Sequence, residues 1–192
     1  TQMALLPLWL LGAALSAQTP DISLQQGMRI TQSCQIKPGE YRLDAPAAAV
    51  FSDSANDVGR VRPVITIAGE GITVDFQNAE LRSNADPTRP DRFTGVAILI
   101  RGKNITLKSA RARGFKVAVL ADGAGGVHLE NCDFSYNYRP RLRSIRERED
   151  FSDWLSYHQN EKDQWLRYGA GIYLKNCDSV LVKGCRITGN QN

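Results

Sequence analysis

Short apolar runs, rather than long amphipathic stretches, dominate the hydrophobic pattern of this chain. In most of these runs apolar and polar residues alternate, and Gly, Asn or Asp separates one run from the next. Alternation with a period of two is typical of β-strands that bury one face, and Gly, Asn and Asp mark turns. The pattern therefore predicts many short β-strands joined by tight turns.

An eleven-residue phrase recurs along the chain. VHLENCDFSYN (residues 127–137) and VLVKGCRITGN (residues 180–190) share their apolar positions, a cysteine and a final Asn. Two further copies exist, and the first apolar residues of the four copies are Ile72, Ile105, Val127 and Val180. The spacings are 33, 22 and 53 residues. A basic period that is lengthened by insertions at one position is the signature of a solenoid.

An earlier apolar pair precedes the phrase in each repeat: Ile65/Ile67, Ile98/Ile100, Val117/Val119 and Ile172/Leu174. Each repeat thus holds several short strands, which bury a continuous core only when successive repeats stack. We therefore predict an all-β fold, a right-handed parallel β-helix of about 22 residues per coil with a helical insertion.

Alternation also assigns side chains to the two faces of each coil. The predicted inward residues are Val127, Leu129, Cys132, Phe134 and their counterparts Val180, Val182, Cys185 and Ile187. Two predicted outward columns alternate in charge: Asp75, Lys108, Glu130, Lys183, and Glu80, Arg111, Asp133, Arg186. Opposite charges stabilise strands that stack about 4.8 Å apart. We therefore interpret both columns as structural.

Residues 101–116 carry six basic residues and no acidic one, which is typical of a polyanion site. The charge columns account for Lys108 and Arg111 in structural terms. They leave four basic residues unexplained: Arg101, Lys103, Arg113 and Lys116. Of these, Arg113 is our candidate for substrate binding.

The chain is predicted to be exported. Residues 1–17 contain an apolar run of about twelve residues, followed by Ser16 and Ala17, as in a secretory signal peptide. The alternative is a buried N-terminal helix. No other segment is apolar enough to span a bilayer, so we expect residues 18–192 to form a secreted or periplasmic domain without stable membrane insertion. A net charge of +4 is too small to indicate a nucleic-acid partner.

The four cysteines, Cys34, Cys132, Cys177 and Cys185, fit an oxidising compartment. They form no CxxC pair, so we expect no structural zinc site. Cys132 and Cys185 occupy the same inward position, and we favour free thiols there over a disulfide along the stack. The sequence leaves the disulfide state of all four open.

The stretches ITQSCQIKPGEYRL, ITVDFQNAEL and GVHLENCDFSYN resemble the pectate-lyase-like superfamily. Within it the chain is most similar to secreted right-handed β-helix repeat proteins that include a periplasmic copper-enzyme maturation factor. The resemblance covers residues 27–192. It implies the fold rather than an activity, because the superfamily contains lyases, hydrolases, epimerases and non-catalytic members. The superfamily's catalytic motifs have no match here, so no catalytic residue is carried over.

Few coils are predicted for a member of this superfamily, and no capping element follows the strand before Asn190. We therefore expect the chain to be truncated at its C-terminus, with further coils in the parent protein. For that full-length protein we expect a monomer.

Two insertions follow the same strand of the repeat, at Asp86–Phe93 and at residues 138–168. Insertions on one face of a solenoid commonly build its binding side. Ser144 and Glu147 form a capping box for a first helix, and Ser152 can cap a second helix from Asp153 to Tyr168.

The predicted second helix places Trp154, His158, Glu161 and Trp165 on one face. The two tryptophans could stack on sugar rings, and the His–Glu pair could transfer a proton. Alternatively, the tryptophans pack this helix onto the coils. Two ligands are too few for a metal site, and no cofactor is indicated.

Two function classes follow from these features. The first is a secreted protein that binds or processes a polysaccharide in a groove beside the insertions, with acidic polysaccharides among the candidates. An enzyme of this kind would be a polysaccharide lyase or glycoside hydrolase. The second is a non-catalytic β-helix that serves as a binding or maturation module. The sequence does not decide between them, nor does it identify the glycan.

Overall fold

The computed structural model of the chain describes residues 19–46, 62–153 and 169–191. Regular structure in these ranges consists of short β-strands and two 3-10 helices, Pro90–Arg92 and Phe151–Asp153. The strands are β1 (Asp21–Ile22), β2 (Met28–Ile30), β3 (Cys34–Ile36), β4 (Glu40–Arg42), β5 (Ile65–Glu70), β6 (Thr73–Asp75), β7 (Glu80–Arg82), β8 (Val96–Lys103), β9 (Thr106–Lys108), β10 (Arg111–Arg113), β11 (Val117–Asp122), β12 (His128–Glu130), β13 (Ala170–Lys175) and β14 (Leu181–Lys183).

The strands form three sheets in which all neighbouring strands are parallel. Sheet one has the order β1-β3-β6-β9-β12-β14, sheet two β2-β5-β8-β11-β13, and sheet three β4-β7-β10. From β2 onward the chain passes through sheets two, one and three in turn. We call each such passage a coil and number the five coils from the one that begins at β2.

Strand register confirms the predicted repeat. The residues that follow the four anchors, Thr73, Thr106, His128 and Leu181, are paired from coil to coil. The prediction of Val117/Val119 as the earlier apolar pair of the fourth coil was wrong. Val119 and Ala121 are the residues that pair with Ile98 and Ile100. A shift of two residues leaves every side chain on its original face, so alternation alone does not detect it.

Sheet two departs from simple alternation because its strands β8 and β11 are buried on both faces. Ile98 and Ile100 belong to the main core, whereas Leu99 and Leu120 belong to a second buried apolar cluster. Strands buried on both faces have near-continuous apolar sequences, as VAILI in β8 and VAVLA in β11 do.

The main core runs continuously through the stacked coils. Val127, Leu129, Cys132 and Phe134 are all buried in it, as predicted. Of their fifth-coil counterparts, Val180 and Cys185 pack against this core, but Val182 is 42% exposed and Ile187 41% exposed. The fifth coil therefore leaves part of its inner face uncovered.

The final Asn of the repeated phrase has a structural role. Asn137 is fully buried; its amide group accepts a hydrogen bond from Phe115 N (3.1 Å) and donates to Ala112 O (3.0 Å) and Phe134 O (2.9 Å). Its backbone N–H donates to Oδ1 of Asn190, the last residue of the next copy (2.8 Å). These side chains satisfy backbone groups that would otherwise be unpaired in the core.

The first predicted helix of the long insertion is not formed. Residues 145–148 make a tight turn closed by backbone hydrogen bonds between Ile145 and Arg148. Ser144 Oγ accepts a hydrogen bond from Asp150 N (2.9 Å), and the Asp153 carboxylate accepts one from Ser144 N (2.6 Å). The predicted capping residue Ser144 therefore does form hydrogen bonds, but they close a turn and not a helix. The rest of the insertion, residues 154–168, lies outside the described residues, as do residues 1–18 with the predicted signal peptide.

Both charge columns have the predicted register. Asp75 and Glu130 pair with Lys108 from either side, and Lys108 Nζ lies 3.5 Å from Glu130 Oε2. Glu80 and Asp133 likewise pair with Arg111. Arg113, two residues along the same strand, makes the ion pairs with Glu80 and Asp133 of that second column.

Replacing Lys108 with Glu should destabilise the fold, because it places three carboxylates in one column. We expect the free energy of unfolding to fall by about 1 kcal/mol or more at low ionic strength. Thermal melts at low and high salt measure this effect, which screening should reduce. An unchanged melting temperature at low salt would contradict the structural interpretation of the column.

Candidate functional site

Two adjoining clefts lie where sheet three meets the insertions. The first, which we call the arginine cleft, has a volume of about 360 Å³ and contains three arginines, Arg82, Arg113 and Arg139. The second, which we call the insertion cleft, measures about 890 Å³ and includes Arg89 and Arg141. Pro90 and Arg139 line both clefts, so the two form one continuous depression.

The two insertions meet at this depression. The short insertion contributes Pro87, Pro90 and Phe93 to the arginine cleft, and the long insertion contributes Arg139. Arg139 N donates a hydrogen bond to Pro90 O (3.4 Å), which links the insertions directly. The prediction that both insertions lie on one side of the stack is therefore confirmed for their described parts.

Tyr136 occupies an unusual backbone position in the floor of the arginine cleft. Its φ is +58°, and the residues stacked below and above it are Gly114 (φ +82°) and Gly189 (φ +67°). Backbone hydrogen bonds fix this stack: Gly114 N donates to Tyr136 O (3.3 Å), and Tyr136 N donates to Thr188 O (2.8 Å). Three successive coils thus share the left-handed conformation, and only the middle one carries a side chain there.

Gly189 also makes room for the tyrosine ring. A Cβ atom added at Gly189 would lie 2.7 Å from Tyr136 Cδ1, so the ring rests on the backbone of the next coil. The residue remains 50% exposed. A bulky residue with positive φ is strained, and such strain is concentrated at functional positions. Tyr136 is therefore the clearest functional candidate among the described residues.

Arg113 lies beside this ring, held by carboxylates of two other coils. Its Nη2 donates to Asp133 Oδ2 (2.8 Å), its Nε lies 3.9 Å from Glu80 Oε1, and its Cζ lies 5.4 Å from the centre of the Tyr136 ring. Partial burial acts to raise the pKa of Asp133, but hydrogen bonds from Ser135 and the charge of Arg113 outweigh it and lower that pKa. The pair is therefore ionised at neutral pH.

The distance between Arg113 Nε and Glu80 Oε1 is too long for a hydrogen bond. Arg113 Nε and Glu80 Oε1 are buried, and neither atom has a hydrogen-bond partner within the described part of the chain. The guanidinium is thus fixed in position by Asp133 but retains hydrogen-bonding capacity. Its side chain is 31% exposed, on the side of the cleft.

Arginines are also stacked along the third sheet. Arg42, Arg82 and Arg113 are directly paired in β4, β7 and β10. Like charges that face each other across strands are destabilising. Glu40 offsets part of this repulsion, because its carboxylate lies 2.6 Å from Arg42 Nε and 3.8 Å from Arg82 Nη1. The column nevertheless concentrates positive charge along one edge of the cleft.

The Asp44 side chain holds the rim of the cleft next to Arg82. The Asp44 carboxylate accepts hydrogen bonds from Ser83 Oγ (2.8 Å), Asn84 N (2.8 Å) and Asn84 Nδ2 (2.9 Å). Partial burial acts to raise the pKa of Asp44, but these hydrogen bonds lower it below its ordinary value. The first coil thereby fixes the start of the short insertion.

The predicted site residues have different outcomes. Arg113 lies in the arginine cleft, as a binding role requires. The other four, Trp154, His158, Glu161 and Trp165, lie outside the described residues. Sequence reasoning missed Tyr136, Arg82 and Arg139. A signal for Tyr136 did exist, because the final copy reads TGN where this copy reads SYN.

Searches against protein families, curated proteins and solved structures find no match to this chain. Within the three described ranges, no group of three or more His, Cys, Asp or Glu side chains could hold a metal ion. No helix in the same ranges is long and apolar enough to cross a membrane.

Proposed function

We propose that this chain is an exported, right-handed parallel β-helix protein of the pectate-lyase-like type, and that it binds an acidic polysaccharide in the arginine cleft. The observation that carries the proposal is the exposed Tyr136 ring, held in a strained conformation beside the fixed guanidinium of Arg113.

The fold proposal rests on the order in which the chain visits its sheets. The first three coils each add one strand to all three parallel sheets, and the fourth and fifth coils continue sheet three through the bridges Arg111–Asp133 and Asp133–Arg186. A sheet wound continuously in this way forms a solenoid in which each coil contacts only its neighbours. We propose that the solenoid is right-handed, because connections between parallel strands of one sheet are overwhelmingly right-handed.

The chemistry of the arginine cleft suits an anionic sugar. An exposed aromatic ring offers an apolar face to the C–H groups of a sugar, while its hydroxyl remains available to water. A guanidinium presents paired N–H donors that match the two oxygens of a carboxylate. Tyr136 and Arg113 supply these two features side by side, and Arg82 and Arg139 add positive charge.

We propose binding, rather than catalysis, as the role of this cleft. Two carboxylates next to the cleft, those of Glu80 and Asp133, both lie close to the Arg113 guanidinium. Asp133 is paired with Arg113 and has a lowered pKa, so it is a poor general acid. In the proposed function, a lyase or hydrolase activity would depend on His158 and Glu161.

Replacing Tyr136 with Gly tests the binding proposal without damage to the backbone. We expect affinity for polygalacturonate to fall about tenfold, because the stacking surface is lost. Stability should be unchanged or higher, because Gly adopts positive φ without strain. Calorimetric titration and thermal melts measure the two effects.

A matched pair of arginine variants serves as the control. Arg113→Gln should weaken binding of polygalacturonate, whereas Arg111→Gln, on the same strand but outside the cleft lining, should not. An uncharged glucan should bind no variant. Equal affinity of wild type, Tyr136→Gly and Arg113→Gln for polygalacturonate would refute the proposal.

The tryptophans of the long insertion provide a separate test. If Trp154 and Trp165 form a wall of the groove, replacing each with Ala should weaken glycan binding by about 1 kcal/mol or more with the fold intact. If they pack onto the coils, the same changes should cost about 3 kcal/mol of stability. Lost stability without a change in binding would remove both residues from the site.

Export is the last element of the proposal, and it is supported by the sequence of residues 1–17. A signal peptidase should cleave near Ala17, so N-terminal sequencing of secreted or periplasmic protein should begin at about Gln18. Recovery of the uncleaved chain from the cytoplasm alone would contradict export.

A further inference from the structure

Two thiols lie directly opposite each other in the core, away from the arginine cleft. Cys132 is only 2% exposed, and Cys185 packs against the same core in the next coil. The residues on either side of the two cysteines are paired between the coils: Glu130 pairs with Lys183, and Asp133 pairs with Arg186. The same pairing places Cys132 against Cys185.

This placement suits a covalent bond. Paired residues on adjacent strands have Cα atoms about 4.8 Å apart, within the range of about 4.4–6.8 Å found in disulfides. Both thiols have the same orientation, since Cys132 Sγ lies 3.6 Å from Leu107 O and Cys185 Sγ lies 3.3 Å from Leu129 O, each in the preceding coil.

We propose that Cys132 and Cys185 form a redox pair that closes to a disulfide between the fourth and fifth coils when a small-molecule or protein disulfide oxidises them. The structure describes the reduced state, in which all four cysteines are free. Cys34 and Cys177 are at other positions of the coils. The proposal does not depend on glycan binding.

The exchange runs in two steps. Cys185 is the entry point, because it is the more exposed of the two thiols. Its thiolate attacks the oxidant disulfide, forms a mixed disulfide and releases one thiol of the oxidant. Cys132 then loses its proton and attacks Cys185 Sγ, which expels the second thiol. In total, two protein thiols and one disulfide give one protein disulfide and two small thiols.

The second step is expected to be slow. Burial, together with the neighbouring thiol, raises the pKa of Cys132 to about 12, so it is protonated at neutral pH. Exchange requires the thiolate. We therefore expect closure to accelerate as the pH rises above neutrality, and the mixed disulfide at Cys185 to be detectable before closure.

A bond here would hold together the two coils that form one end of the arginine cleft. Tyr136 follows Cys132 in the fourth coil, and Gly189, on which its ring rests, follows Cys185 in the fifth. The bond would also close the loop that contains the whole long insertion. A disulfide that closes a long loop stabilises a fold by restricting the unfolded chain.

The experiment equilibrates the protein with oxidised and with reduced glutathione, followed by peptide mapping and thermal melts. We expect a Cys132–Cys185 cross-linked peptide only in the oxidised sample, and a melting temperature several degrees higher than in the reduced sample. Cys132→Ala and Cys185→Ala should each abolish this difference. Cys34→Ala and Cys177→Ala are the matched controls and should retain it.

Comparison of the oxidised and reduced forms within each variant removes any effect of the substitution on the fold itself. Four titratable thiols after unfolding of the oxidised sample would overturn the proposal. A cross-link through Cys34 or Cys177 would overturn it as well, as would a disulfide that lowers the melting temperature.

Discussion

The parallel register between successive coils is the constraint on which the rest of the structure depends. Backbone hydrogen bonds place equivalent residues of neighbouring coils one above the other, so side chains of the same kind or of opposite charge line up in columns. Apolar columns form the core, and columns of opposite charge stabilise the outer surface. Asn137 and Asn190 satisfy the backbone where the coils turn inside the core.

The arginine cleft results from interruptions of these columns. Tyr136 stands where the coils on either side have Gly, and Arg113 is held between the acidic residues of two other coils. The insertions leave the stack at one phase and meet through the hydrogen bond from Arg139 to Pro90. The stack thus supplies rigid positions, and departures from the repeat supply chemistry.

The Cys132–Cys185 pair shows the same principle in the core. Regular stacking brings together two thiols that lie far apart in sequence, with no turn or loop that needs to adapt. It also concentrates like charges in Arg42, Arg82 and Arg113, which require Glu40 and Glu80 nearby. Register therefore creates both favourable and costly contacts, and side chains in adjacent columns offset the costly ones.

The sequence by itself determined the all-β class, the repeat, the inward residues of the fourth coil and the register of both charge columns. These follow from local alternation and spacing, which the chain carries in its own order. Only the tertiary structure decided that Val119, and not Val117, pairs with Ile98, that Ser144 closes a turn, and that Arg113 makes the ion pairs expected of Arg111. These outcomes depend on side-chain length and on packing between coils. A shift of two residues preserves the alternation of apolar and polar positions, and a capping residue can close a turn as well as begin a helix. Tyr136 became a candidate only when the stack placed it between Gly114 and Gly189.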